Sequence, residues 1–264
     1  NAYEGAVGAA LIALCVCAFL VGVPLLLLAL RAERARRVLR LRASGSRVYP
    51  KCIPPHHYHA FVSHVWATGQ NQARALKAAL TGAVPGLRCF LDVDDLRATT
   101  RDALAQAVEE AEAVVVFLTE GYFQSGNCRV ELECAVAMGK PLVLVLETAP
   151  MHGAASIEAL KSACAAHASP EAAETVGGLL DAGACVRWHR EGAFADESLV
   201  EVFESLYEAG VLEPALPPGK PAELSLGWVG AADGAGPSGE ALVTALRAQR
   251  LLSFRARGPL ARAC

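Results

Sequence analysis

The sequence has no C-x-x-C pair, no strong net charge of either sign and no internal repeat, and each absence removes a class of protein. Nine cysteines are present, but they are scattered: Cys15, Cys17, Cys52, Cys89, Cys128, Cys134, Cys164, Cys185 and Cys264. Without close pairing they form neither a zinc ribbon nor a thioredoxin-type site. An odd number spread through apolar runs reads as reduced, intracellular thiols. The net charge of −3 lacks the strongly basic face of a general nucleic-acid binder, so no nucleic-acid partner is expected. Charged residues are 19% against 53% apolar, which excludes a wholly disordered chain. The 264 residues accommodate one full domain with additions, or two small ones. The chain starts at Asn1 rather than Met, so a longer parent chain is one expectation.

Charge is missing altogether from residues 6–30, AVGAALIALCVCAFLVGVPLLLLAL. About 20 apolar residues cross a bilayer, and this run is longer. A signal peptide is the competing reading, but it needs a basic start and a shorter apolar core. Only Glu4 precedes the run, so a transmembrane helix is expected. Pro24 is compatible with one. Arg31, Arg34, Arg36, Arg37, Arg40, Arg42 and Arg47 come next, opposed only by Glu33. Positive flanks stay on the cytoplasmic side, which places the rest of the chain there. The arginines read first as a stop-transfer signal, and second as contacts to anionic headgroups of the lipid bilayer.

Residues 31–56 are expected to be a basic juxtamembrane linker, marked by Ser44-Gly45-Ser46 and by Pro50, Pro54 and Pro55. Beyond it, short apolar runs alternate with amphipathic ones. Strands are expected at 58–63, 87–91, 113–118, 141–146 and 185–189. Helices are expected at 70–80, 100–111, 128–138 and 197–209. The runs AVVVFL and PLVLVL are apolar throughout, as in strands buried on both faces. Strand–helix alternation implies βαβ units and a doubly wound parallel sheet of five strands, an α/β domain over 57–209. An insertion at 147–184 contains Ser169-Pro170-Glu171, a helix start with a capping Ser and Pro in the first turn. Residues 210–264 read as a flexible tail with one further helix at 241–252.

Three motifs stand in order: Tyr58-His59-Ala60-Phe61-Val62-Ser63-His64, then Phe90-Leu91-Asp92-Val93-Asp94-Asp95-Leu96, then residues 121–132, GYFQSGNCRVEL. Together they resemble a TIR (Toll/interleukin-1 receptor) domain over residues 58–209. The first is similar to the family's Y-D-A-F-I-S box. The last is similar to its S-x-x-F-x-x-S-x-W-C-x-x-E-L region. The resemblance implies a flavodoxin-like fold, in which ligands sit beyond the carboxyl ends of the strands where strand order reverses. Ser63 and Glu131 would then face one crevice.

Some TIR domains hydrolyse NAD+ at the nicotinamide–ribose bond, and others only assemble with further TIR domains. The resemblance implies Glu131 as the catalytic carboxylate, three residues after Cys128, stabilising an oxocarbenium-like state. It implies Ser63, Asp92, Asn127 and Cys128 as substrate contacts. No cofactor is implied, and NAD+ would be a substrate. The bland reading of Glu131 is compensation of the helix dipole. The family's Trp, four residues before the glutamate, is Asn127 here. The loop after the second strand is short and has neither Gly nor Pro. Its Asp95-Leu96-Arg97 reads either as a shortened assembly loop or as a plain solvated one. Trp188, near the family's third box, reads as a core or interface aromatic.

Other constellations carry less. His56, His57, His59 and His64 cluster, but His59 occupies the family's Asp position and companion ligands are missing, so no metal is expected. Ser63 and His64 are adjacent on a strand and point to opposite faces, so they are no catalytic pair. Residues 234–239, GAGPSG, match G-x-G-x-x-G without the strand, helix and acidic residue a dinucleotide site requires. A receiver-like domain would need acids after the first strand and an Asp after the third, where Ser63-His64 and Thr119 stand. Two functions remain: a membrane-anchored module signalling through association with other TIR domains, and an NAD+ hydrolase using Glu131.

Overall fold

The uncharged N-terminal run has no polar side chain to compete with its backbone, and it forms a single helix. In the computed structural model, which describes residues 2–34, 37–42, 45–92, 100–213 and 224–228, α1 spans Ala2–Arg34 and continues through Pro24. Its most apolar stretch, Ala10–Leu27, is 18 residues long and is not buried by any of the other described residues. At 1.5 Å per residue, helix this long and apolar suffices to cross a bilayer.

The segment after α1 differs from the expected linker. Arg37–Leu41 is strand β1 and Tyr49–Pro50 is strand β2. Arginines dominate RVLRL by charge, but Val38, Leu39 and Leu41 between them are buried. Their burial makes a strand worth forming.

A five-stranded sheet holds the centre. β3 (Tyr58–His64) leads to α2 (Trp66–Ala83), then β4 (Cys89–Phe90), α3 (Arg101–Glu109), β5 (Ala111–Leu118), α4 (Gly126–Ala137) and β6 (Leu142–Glu147). A 3-10 turn (Pro150–His152), α5 (Ile157–His167) and α6 (Pro170–Asp181) fill the insertion, before β7 (Cys185–Trp188) and α7 (Gly192–Glu208). The strands are parallel in the order β4-β3-β5-β6-β7, the flavodoxin-like order. Alternate residues serve opposite faces. Val62, Val115, Phe117 and Val145 pack with Leu76 and Leu80 of α2 and Phe203 of α7. Phe61, Val114, Val116 and Leu144 pack with Leu132 of α4, Leu160 of α5 and Val176 of α6.

Several boundaries differ from expectation, among them the start of α7 at Gly192 rather than 197. β4 is reduced to two residues, since it is an edge strand paired only at Ala60–Cys89 and Phe61–Phe90. α2 begins at Trp66 rather than 70, running through Gly69. A Cβ at Gly69 would stand 3.4 Å from the Cβ of His64, an ordinary van der Waals contact, so this turn lies over β3 at a distance that other small residues would also fit.

After α7, β8 (Leu212–Glu213) pairs with β2, and β9 (Leu224–Trp228) pairs antiparallel with β1. Thus β9 lies in the stretch expected to be a flexible tail. The expected helix at 241–252 and the glycine-rich residues 234–239 lie outside the described residues.

The start of α6 obeys its sequence signal. Ser169 Oγ accepts from Ala172 N at 3.3 Å, with Pro170 in the first turn. Ser169→Ala should lower unfolding stability by about 1 kcal/mol, read as a shift of the urea midpoint at unchanged slope.

Candidate functional site

β3 and β5 neighbour each other where the strand order reverses, and their carboxyl ends carry the candidate residues. Ser63 pairs in register with Val116, and His64 with Phe117. Strand alternation sends Ser63 toward α4 and His64 toward the other face. On α4, buried residues Cys128, Glu131, Leu132 and Ala135 keep the 3–4 spacing of a stripe turned to the sheet. Glu131 therefore occupies a core position, and only 2% of it is exposed.

Ser63 Oγ donates to Glu131 Oε2 at 2.5 Å and lies 2.6 Å from the Tyr122 hydroxyl. With its single proton on Glu131, Ser63 accepts from Tyr122. The three groups form a chain, phenol to hydroxyl to carboxyl, closed off from water. Burial is the main influence on Glu131. It pushes the carboxyl pKa up to about 8, with Asp92 adding to the rise and the Ser63 hydrogen bond opposing it. Tyr122 is raised well above the usual phenol range by burial, so it stays a neutral donor. Burial, with Glu131 nearby, pushes Cys128 up to about 12. Its thiol is protonated and donates to the His64 carbonyl at 3.3 Å; it is no nucleophile.

The remaining sequence candidates fall in different places. Asp92 is buried but turns to Trp66, accepting from Nε1 at 2.6 Å, with His64 Nδ1 at 3.6 Å. Asn127 is exposed on the first turn of α4 and does not join the Ser63 chain. Asp95, Leu96 and Arg97 lie outside the described residues. Trp188, open between core and interface in the sequence, belongs to the core. It is 7% exposed, edge-on to Phe117, and offers no face to a partner. His59 uses both ring nitrogens on backbone: Nδ1 accepts from Arg88 N at 2.9 Å and Nε2 donates to Lys51 O at 2.8 Å. Burial lowers its pKa. Among the described residues, no three His, Cys, Asp or Glu side chains converge as metal ligands do.

Sequence reasoning passed over Tyr122 and Trp66. Tyr122 lies inside the third motif, and a polar-tipped aromatic in an otherwise core position was the available signal. Trp66 had no signal beyond opening α2; its ring is half exposed while its N–H is fixed on buried Asp92. A buried ion pair was also missed. Glu147, at the end of β6, has no exposed side-chain surface and receives Arg190 through Nη2 at 2.6 Å and Nε at 3.3 Å. Its Oε1 also accepts from Thr148 N and Ala149 N.

Among known proteins, the family model described as TIR domain matches residues 60–173. No curated protein matches the chain. Similar solved structures include a metazoan TIR-STING receptor from C. gigas in complex with 2',3'-cGAMP, at 17% identity and TM-score 0.39, covering 58% of this chain and 42% of that one. The TIR domains of the activated Roq1 resistosome, which directly recognises the pathogen effector XopQ, share 17% identity over 58% of this chain and 82% of theirs, with TM-score 0.34. The TIR domain of the Toll-related receptor TRR-2 from Hydra magnipapillata shares 14% over 34% and 70%, with TM-score 0.28. The chain spans less than half the length of the TIR-STING receptor.

Proposed function

The chain carries a TIR domain, and from that premise we propose that it is a membrane-anchored cytoplasmic module that signals by TIR–TIR association. The observation that carries this reading is α1. Its apolar stretch is uncovered by the other described residues, and only residues 35 and 36 separate it from β1. The arginines beyond it orient it with the domain on the cytoplasmic side. Confinement to a bilayer raises effective concentration, so weak contacts between domains become productive. The partners are other TIR domains, of the same or another chain.

The test places the chain in vesicles at rising surface density, labelled with donor and acceptor dyes in separate populations. Energy transfer should grow with density and resist alkaline carbonate extraction. A chain lacking α1, at equal bulk concentration, should show little transfer. Extraction by carbonate, or transfer independent of density, would refute the proposal.

A second reading is favoured by the Ser63–Glu131 contact: hydrolysis of NAD+ at the nicotinamide–ribose bond. A carboxylate there would stabilise the positive charge of an oxocarbenium-like state. The carboxyl must be ionised for that, and its raised pKa of about 8 leaves it mostly neutral at pH 7. The reading therefore requires the crevice to open on assembly, exposing Glu131 to water and substrate. Nicotinamide release in the same vesicles, absent in Glu131→Gln, would support it. The largely neutral, closed-off Glu131 is why association ranks first.

A further inference from the structure

We propose that the indole of Trp66 is a platform on which a flat, positively charged heteroaromatic ring stacks, the N-substituted pyridinium of NAD+. This deepens the NAD+ reading above and rests on it for the identity of the ligand. The fixed ring of Trp66 carries it. Trp66 opens α2 directly beyond β3 and is 52% exposed, yet its Nε1–H is held by Asp92 at 2.6 Å. Asp92 itself is only 5% exposed. A surface tryptophan has no need of a buried carboxylate, since water serves an exposed N–H almost as well. Here the hydrogen bond holds the ring in one orientation with a face turned outward. Stacking on a ring already ordered costs little further side-chain freedom.

The ring stands at the same mouth as Glu131, and His64 links the two. Its carbonyl accepts from Cys128 Sγ at 3.3 Å, and its Nδ1 lies 3.6 Å from Asp92 Oδ1. Cys128 is one turn before Glu131 on α4. The charge of Asp92 also contributes to the raised pKa of Glu131, so the two carboxyl groups share one field. This place suits a flat cation. An aromatic face is the negative part of the ring quadrupole, and tryptophan attracts cations more strongly than phenylalanine or tyrosine. Asp92, accepting from the indole N–H, adds negative charge beside the ring. The pyridinium of NAD+ is planar, aromatic and positively charged, and it becomes neutral nicotinamide when its bond to ribose breaks. Trp66 therefore favours the bound substrate over the released ring, and its effect belongs in KM rather than in kcat. A neutral ring such as adenine would gain nothing from the carboxylate.

The full chain is prepared in detergent micelles with fluorinated tryptophan, and the Trp66 signal is identified by its loss in Trp66→Phe. N-methylnicotinamide, a pyridinium cation, and nicotinamide, its neutral parent, are titrated separately. The cation should bind at least about fivefold more tightly, moving the Trp66 signal while that of buried Trp188 stays in place. In Trp66→Leu, which keeps apolar bulk without an aromatic face, the preference should vanish, read from broadening of the ligand signals. Trp66→Phe should keep a reduced preference, which separates loss of the face from loss of the fold. Equal affinity for the two rings, or a preference that survives Trp66→Leu, would overturn the proposal. Methylguanidinium bound as tightly as N-methylnicotinamide would assign the face to an arginine of a partner protein, and overturn it too. The nicotinamide-release assay separates stacking from hydrolysis. Release whose KM for NAD+ rises at least about fivefold in Trp66→Leu, at a kcat within about twofold, would support both. Release with an unchanged KM would overturn stacking alone. No release, with the preference for the cation intact, would overturn hydrolysis and leave Trp66 as a site for a pyridinium ligand.

Discussion

Glu131→Gln should make the domain more stable than the unaltered chain at pH 8.5 and about equal to it at pH 4. The cause is burial of a carboxyl whose pKa rises from 4.5 to about 8 on folding. Below pH 4.5 the group is neutral in both states and costs nothing. As pH rises from there, the unfolded chain ionises and the folded one does not, so stability falls. The loss is complete once pH passes the folded value near 8. At about 1.4 kcal/mol per pH unit of difference, it amounts to roughly 3–5 kcal/mol. Glutamine never ionises, keeps an oxygen for the Ser63 hydroxyl, and should flatten this slope. Urea unfolding of a chain beginning at Arg37, measured from pH 4 to 9 for both forms, reads it directly. Parallel pH profiles would show that Glu131 is solvated or paired in the folded state.

Arg190→Met should cost about 3 kcal/mol, because it strands the Glu147 carboxylate in the interior. Glu147 is wholly buried while Arg190 is 28% exposed. Removal of one partner from a buried pair is expensive chiefly through the charge left behind, and the partial exposure of Arg190 holds the cost to the lower end of the usual range. Adding Glu147→Gln to Arg190→Met should recover more than half of the loss. The amide oxygen can still accept from Thr148 N and Ala149 N, which Oε1 serves now, and no charge remains to be buried. Both variants are compared by urea midpoint at pH 7. A loss below 1 kcal/mol for Arg190→Met, or no recovery in the double variant, would mean the pair is wetter than its geometry indicates.

The sheet was legible because its central strands advertise themselves. Residues 113–118 and 142–146 are apolar without interruption, and only strands covered on both faces use such runs. The helix at 170 was legible from a local cap. What escaped was non-local. β1 and β9 lie at opposite ends of the domain in sequence, and no short-range pattern announces that RVLRL and LSLGW will pair. The same holds for Glu147 and Arg190, which are 43 positions apart and meet only because β6 and β7 are neighbours. Ser63 and Glu131 were placed together through strand order and a family motif. Tyr122, which completes their hydrogen-bond chain, was hidden inside a motif read for other residues.

The antiparallel clasp of β1 and β9 also has a mechanical meaning. β1 begins and β9 ends at the same end of the ladder, where Arg37 faces Trp228. Tension between a fixed α1 and the chain beyond β9 therefore loads the pairs one at a time, as a zipper is opened. Tension between α1 and the body of the sheet would instead drag β1 lengthwise and load all five pairs together. The clasp should yield at low force in the first direction and resist in the second, so a pull on the C-terminal side would free β1 from β9 while leaving the five-stranded sheet intact.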